Sequence, residues 1–155
     1  MLSTPSTNYT NVVEDSTKPY SLTYVEHTDY LHAIIQARTI TRKIALSYLR
    51  EVAHKCIQSG HQRLLLERNV PMTIPLVDIF FTTTDFLHMM GNSRVALVNP
   101  YSELDAEMNF IVTVARNRGG LFSLHSSVQS AENWLLRDRR PSDLRATSRT
   151  QPTSN

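Results

Sequence analysis

Thr41–Gly60, TRKIALSYLREVAHKCIQSG, closely followed by Arg63–Glu67, RLLLE, decides how this chain folds. In the first segment Thr41 can cap a helix. Ala45, Tyr48, Leu49, Val52, Ala53, Cys56 and Ile57 then recur at the i, i+3, i+4, i+7 spacing of one buried face. Arg42, Lys43, Arg50, Glu51 and Lys55 fill the wet face, and Gly60 stands where a left-handed residue stops a helix. The second segment is short and continuously apolar at its centre, as a strand covered on both faces should be. A helix feeding a buried strand is the repeating unit of a parallel sheet.

The same cadence extends outward in both directions. Toward the C-terminus, Thr73 and Pro75 open a second helix that reaches about Met90, with Gly91 ending it. Arg94–Asn99 is the next buried strand. Ser102 with Asp105 resembles a capping box for a third helix, which turns Leu104, Met108, Ile111 and Ala115 inward and ends near Gly119-Gly120. Leu121–Ser123 is a last strand, and Ser126 or Ser127 caps a short helix bearing Val128, Ala131, Trp134 and Leu135. Trp134, the single tryptophan, is expected to dock in the core. Toward the N-terminus, Ser21–Val25 and Leu31–Gln36 form a hairpin around His27-Thr28-Asp29. The order is β-β-α-β-α-β-α-β-α: one small α/β domain over 21–136, with a mixed, mostly parallel sheet opened by an antiparallel hairpin.

The 155 residues leave room for one core. The net charge of +2 is unevenly placed. Arg137, Arg139, Arg140, Arg145 and Arg149 outweigh Asp138 and Asp143 in the last segment, whereas Glu14 and Asp15 outweigh Lys18 at the start. Residues 21–136 are neutral, so no basic face for nucleic acid is expected. Polar composition makes 1–20 and 137–155 flexible tails, the latter basic. The N-terminus lacks the apolar stretch of a signal peptide, and no apolar run approaches the ~20 residues of a membrane span. The lone Cys56 fits a reducing compartment. A cytoplasmic protein is the expectation.

Three stretches carry a family resemblance: Gln36–Thr41 (QARTIT) from strand to first helix, Arg94–Val98 (RVALV) as an internal strand, and Ser130–Leu135 (SAENWL) closing the domain. With the order of elements, these resemble the STAS-like fold of anti-sigma-factor antagonists and sulfate-transporter C-terminal domains. The smaller bacterial SpoIIAA-like group is the most similar. The resemblance spans about residues 21–136 and implies a non-enzymatic protein-interaction domain in bacterial signalling. Signalling members carry a phospho-acceptor serine where the helix after the second long strand begins. Here Asn69–Pro75 reads NVPMTIP. Thr73 is the one hydroxyl at that position, and the departure argues against the family's phosphorylation switch.

Candidate chemistry is thin. His54 and Cys56 lie roughly 200° apart on a helix, so they cannot grip one ion with His61, and Cys56 belongs to the apolar face. Glu67, Asn69 and Asn99 stand at strand ends, where α/β folds place ligands. The aspartate cluster and the lysine of a phospho-receiver are missing. Four glycines form no phosphate-cradling loop. Ser123, His125, Ser126 and Ser127 lack a nucleophile elbow and read as a strand end with a helix cap. His27, His32 and His88 are scattered singly. No catalytic, metal or cofactor residues are assigned.

The second helix is different. Leu76, Val77, Ile79, Phe80, Phe81, Phe86, Leu87, Met89 and Met90 exceed the ~100° stripe that one buried face needs. Either the helix is sandwiched between the sheet and loops, or part of it is exposed for a partner, a second copy or an apolar ligand. Phe80 groups with Leu76 and Leu87 on the inward side, and Phe81 with Val77 at the border of solvent. Val77, Phe81 and Met89 therefore form the expected interaction surface. The function expected first is a protein-interaction domain whose partner is another protein or a second copy in a homodimer. A carrier or sensor of a lipid or other apolar small molecule is the alternative, and an enzyme with an unrecognised site comes third.

Overall fold

A computed structural model describes the backbone of Asn8–Thr10 and all of residues 18–137. Among the described residues six strands lie side by side in sequence order: β1 (Asn8–Thr10), β2 (Tyr20–Glu26), β3 (Leu31–Ala37), β4 (Arg63–Asn69), β5 (Arg94–Val98) and β6 (Leu121–His125). β1–β2 and β2–β3 pair antiparallel, and the remaining pairs are parallel. The α/β class, the opening hairpin and the order of helices agree with the sequence reading. β1 is an addition, because the sequence reading placed Asn8–Thr10 inside the N-terminal tail. It pairs with Tyr24–Glu26. The rest of the expected tails, apart from Lys18, Pro19, Tyr20 and Arg137, lies outside the described residues.

Each parallel step in the sheet moves the same way, so right-handed crossovers put their helices on one face. These are α1 (Arg42–Ser59), α2 (Leu76–Met90) and α3 (Asp105–Asn117). α2 packs between α1 and α3. The main core lies beneath them and includes Leu22, Leu31, Ile35, Leu64, Val95 and Met108. Burying each such side chain contributes about 1.5–3 kcal/mol. α4 (Val128–Arg137) follows β6 and lies on the opposite face, over β4–β6. There it closes a smaller cluster of Tyr30, Leu65, Ala96, Val98, Ala131 and Leu135.

Local chemistry explains the boundaries. The Thr41 hydroxyl accepts from the Ile44 amide at 3.1 Å, and Gly60 ends α1 at φ 74°. Ser127, rather than Ser126, caps α4 by accepting from the Ser130 amide at 3.2 Å. The Ser102–Asp105 capping box does not form. Ser102–Leu104 is a 3-10 turn, and α3 begins without a side-chain cap. Gly120 gives α2 its approach to α3 and β6: a Cβ there would stand 2.5 Å from Leu87 Cδ2 and 2.9 Å from the Ala115 carbonyl oxygen.

Two packing expectations are corrected. Ile57 lies outside the buried face of α1 and is exposed, because it falls in the last turn, beyond the sheet's cover. Trp134 is half-buried; Ala131 and Leu135 anchor α4. The Arg94 guanidinium covers the Trp134 ring at 5.0 Å, and the His125 ring lies 5.9 Å away.

Candidate functional site

α2 is the element around which surface and cavity meet. Its buried residues are Ile79, Thr82, Thr83, Phe86 and Met90, a single helical stripe in which two threonines take places expected of Phe80 and Leu87. Thr82 can be buried because its hydroxyl donates back to the Ile79 carbonyl at 3.1 Å, leaving its methyl for the core. Phe86 meets Phe122 edge-on, with ring centroids 6.2 Å apart.

With that stripe facing inward, the surplus apolar residues turn out. Val77 is 59% exposed and Phe81 43% exposed, as the sequence grouping placed them. Leu76 is 53% exposed instead of inward, and Met72 in the preceding loop is 42% exposed. Met89, grouped with Val77 and Phe81 in the sequence reading, packs half-buried against the core and leaves that surface. Phe80 is half-buried beneath the Arg118 guanidinium, 4.6 Å from its ring centroid. Arg42 lies 5.0 Å over the Phe81 ring and 3.8 Å from the Asp78 carboxylate. Met72, Leu76, Val77 and Phe81 thus lie along one loop and the first half of one helix, with charged groups beside them.

Beneath α2 is a cavity of about 60 Å³. Ile79, Thr82, Thr83 and Phe86 form its roof, Leu66, Val95, Leu97 and Phe122 its floor, and α1 and α3 close the sides. Thr73 and Ile74 line it from the loop, so Thr73, the hydroxyl that the sequence reading compared with a phospho-acceptor, is half-buried at the cavity wall. Arg68 lines it from β4. β4 runs two residues beyond the RLLLE strand, which brings Arg68 onto the same face as Leu64 and Leu66. Sequence reasoning missed this residue, although the alternation Leu64, Leu66, Arg68 carried the signal. Tyr48 lies beside it; burial pushes the phenol's pKa up, and Arg68 pulls it partly back.

His32, Glu67 and His125 point to the other face of the sheet and do not line this cavity. His32 Nε2 and Glu67 Oε1 are 2.8 Å apart. The Tyr30 hydroxyl donates to Glu132 at 2.8 Å, and the His27 ring stacks on Tyr30 at 4.3 Å. Asn99 Nδ2 donates to the Tyr101 carbonyl at 2.8 Å, and His125 Nδ1 and the Ser130 hydroxyl are 2.7 Å apart. Burial holds both His27 and His125 below the usual histidine range. Ser123 is buried within β6, so it presents no nucleophile to a substrate. Cys56 is buried in α1, and burial pushes its thiol up to about 12, which keeps it protonated and unreactive. His54 and His88 are exposed on their helices, and His61 lies 3.4 Å from Glu26. Among the described residues no group of His, Cys, Asp and Glu is placed to hold a metal ion. No helix among them is long and apolar enough to cross a membrane.

No protein-family model matches the chain, and neither a curated protein nor a solved structure matches it.

Proposed function

We propose that this chain is a non-enzymatic, STAS-like protein-interaction domain, working in bacterial cytoplasmic signalling or regulation, and that it docks through the first half of α2. The observation that carries the reading is the outward stripe of Met72, Leu76, Val77 and Phe81. Exposed leucine or phenylalanine scattered singly needs no explanation, but four large apolar side chains along one short segment mark a contact surface. Arg42 and Asp78 supply a polar edge beside an apolar centre, the usual make-up of a protein interface. Phe81 has the character of an anchor: a large, stiff ring already partly covered by a guanidinium. The bacterial and cytoplasmic setting rests on the family resemblance and on the single, buried, protonated cysteine.

The lipid-carrier alternative draws less support. A cavity of about 60 Å³ is under half of the ~150 Å³ that accepts a benzene ring in a protein core. An acyl chain would require α2 to lift away.

The test compares the full chain with Phe81→Ser in two measurements: sedimentation for self-association, and capture from native cell extract read by quantitative mass spectrometry. Loss of a specific partner, or of the dimer, in Phe81→Ser at unchanged melting temperature supports the docking surface. Identical association by both proteins removes it.

A further inference from the structure

Arg68 is a buried cation with no carboxylate partner among the described residues. It is 4% exposed, and none of the described Asp and Glu side chains forms an ion pair with it. Nη1 donates to the Val70 carbonyl at 2.8 Å and Nη2 to the Met72 carbonyl at 2.5 Å. These bonds fix the guanidinium and fold the β4–α2 loop around it, but carbonyls are neutral and the positive charge stays. Taking a guanidinium out of water is costly unless an opposite charge comes with it. Arg68 also lines the cavity beneath α2, whose other walls are mainly apolar: Ile74, Phe86, Leu97 and Met108 among them. A fixed cation therefore borders an apolar space.

We propose that this cavity binds a small monocarboxylate, of acetate or propionate size, with its carboxylate against Arg68 and its alkyl end among the apolar walls. The chemistry selects each part of that description. One guanidinium matches one planar carboxylate in charge and shape. A dianion such as phosphate would bring more charge than Arg68 can balance, and the Tyr48, Thr73, Thr82 and Thr83 hydroxyls that also line the cavity carry no charge to offset it. A volume of about 60 Å³ is under half of the ~150 Å³ that accepts a benzene ring, which limits the alkyl end to about one or two carbons. The site is independent of the docking surface. It needs the inner stripe of α2, whereas docking needs the outer one.

The experiment is methyl-resolved NMR of the full chain titrated with propionate, with propionamide as the neutral isostere and hexanoate as the long-chain comparison. Sodium chloride holds ionic strength constant. Propionate should shift the methyl signals of Ile40, Ile74, Ile79 and Met108 saturably. Propionamide should bind about ten-fold or more weakly, because it cannot form the charge-assisted pair. Hexanoate should not saturate the same signals. Ala45→Val places two methyl groups at the α1 wall of the cavity and should weaken propionate by a similar factor while leaving the protein folded. The proposal is overturned by an absence of propionate-dependent shifts. Equal affinity for propionamide, shifts reproduced by chloride alone, or changes confined to methyls outside the cavity would overturn it too. The amide comparison uses the wild-type chain and decides the matter even if Ala45→Val does not fold.

Discussion

α1 and α2 both connect parallel strands and lie side by side on one face of the sheet, yet they spend their apolar residues differently. α1 buries Ala45, Tyr48, Leu49, Val52, Ala53 and Cys56 on a single stripe and starts from a Thr41 cap. α2 starts at Pro75 with no side-chain cap, buries two threonines and turns Leu76, Val77 and Phe81 to solvent. Stability alone would favour the reverse: threonine outside and phenylalanine inside. The difference separates a helix that holds the fold from a helix that presents a surface.

The largest test of that contrast lies on the inner stripe of α2. Phe86→Ala should destabilise the domain by about 3–5 kcal/mol, measured by urea unfolding with tryptophan and circular-dichroism probes. A loss near zero would mean that α2 is not docked at all. Next, Gly120→Ala pushes a methyl group against Leu87 and the Ala115 carbonyl, and should cost about 1–3 kcal/mol. The same substitution at a merely permissive glycine would be neutral, so the result reports how tightly α2 seats on α3. Thr41→Ala removes the cap of α1 and should cost about 1 kcal/mol, readable as a lower urea midpoint with an unchanged slope. The smallest effect belongs to the outer stripe. Phe81→Ser and Val77→Ser should each change stability by less than about 0.5 kcal/mol while altering association. If Phe81→Ser instead costs as much as Phe86→Ala, the two faces of α2 are not distinct and the docking surface fails with them.

Much of this fold was legible in the sequence because several local signals agreed. Around α1, the Thr41 cap, the 3.6-residue spacing and Gly60 all marked one helix. β1 carried no such agreement: Asn8, Tyr9 and Thr10 show no alternation, and their strand exists through pairing with β2. The facing of α2 was half legible. Val77 and Phe81 fall outward as their spacing implies, but Leu76, grouped inward with Phe80, is exposed, and no apolar signal marks Thr82 and Thr83 as buried. A threonine that satisfies its own hydroxyl within the helix behaves like valine, and hydropathy does not register this. Arg68 was hidden for a related reason. The apolar run ended at Leu66, whereas backbone pairing with β3 carries β4 on to Asn69. A charged side chain continuing the inward parity of a buried strand is where a binding group should be sought.

The sheet order has a consequence for how the chain assembles. Every strand pairs only with its neighbours in sequence, so each new strand-and-helix unit can add to the edge left by the one before it. Growth from the N-terminus would complete the face beneath α1–α3 while Leu65, Ala96 and Val98 still lay bare on the other side. α4, the last described element, is the one that covers them. A chain stopped before Val128 would thus carry a complete sheet and a sticky, uncovered back, and aggregation, more than unfolding, is the fate to expect of it.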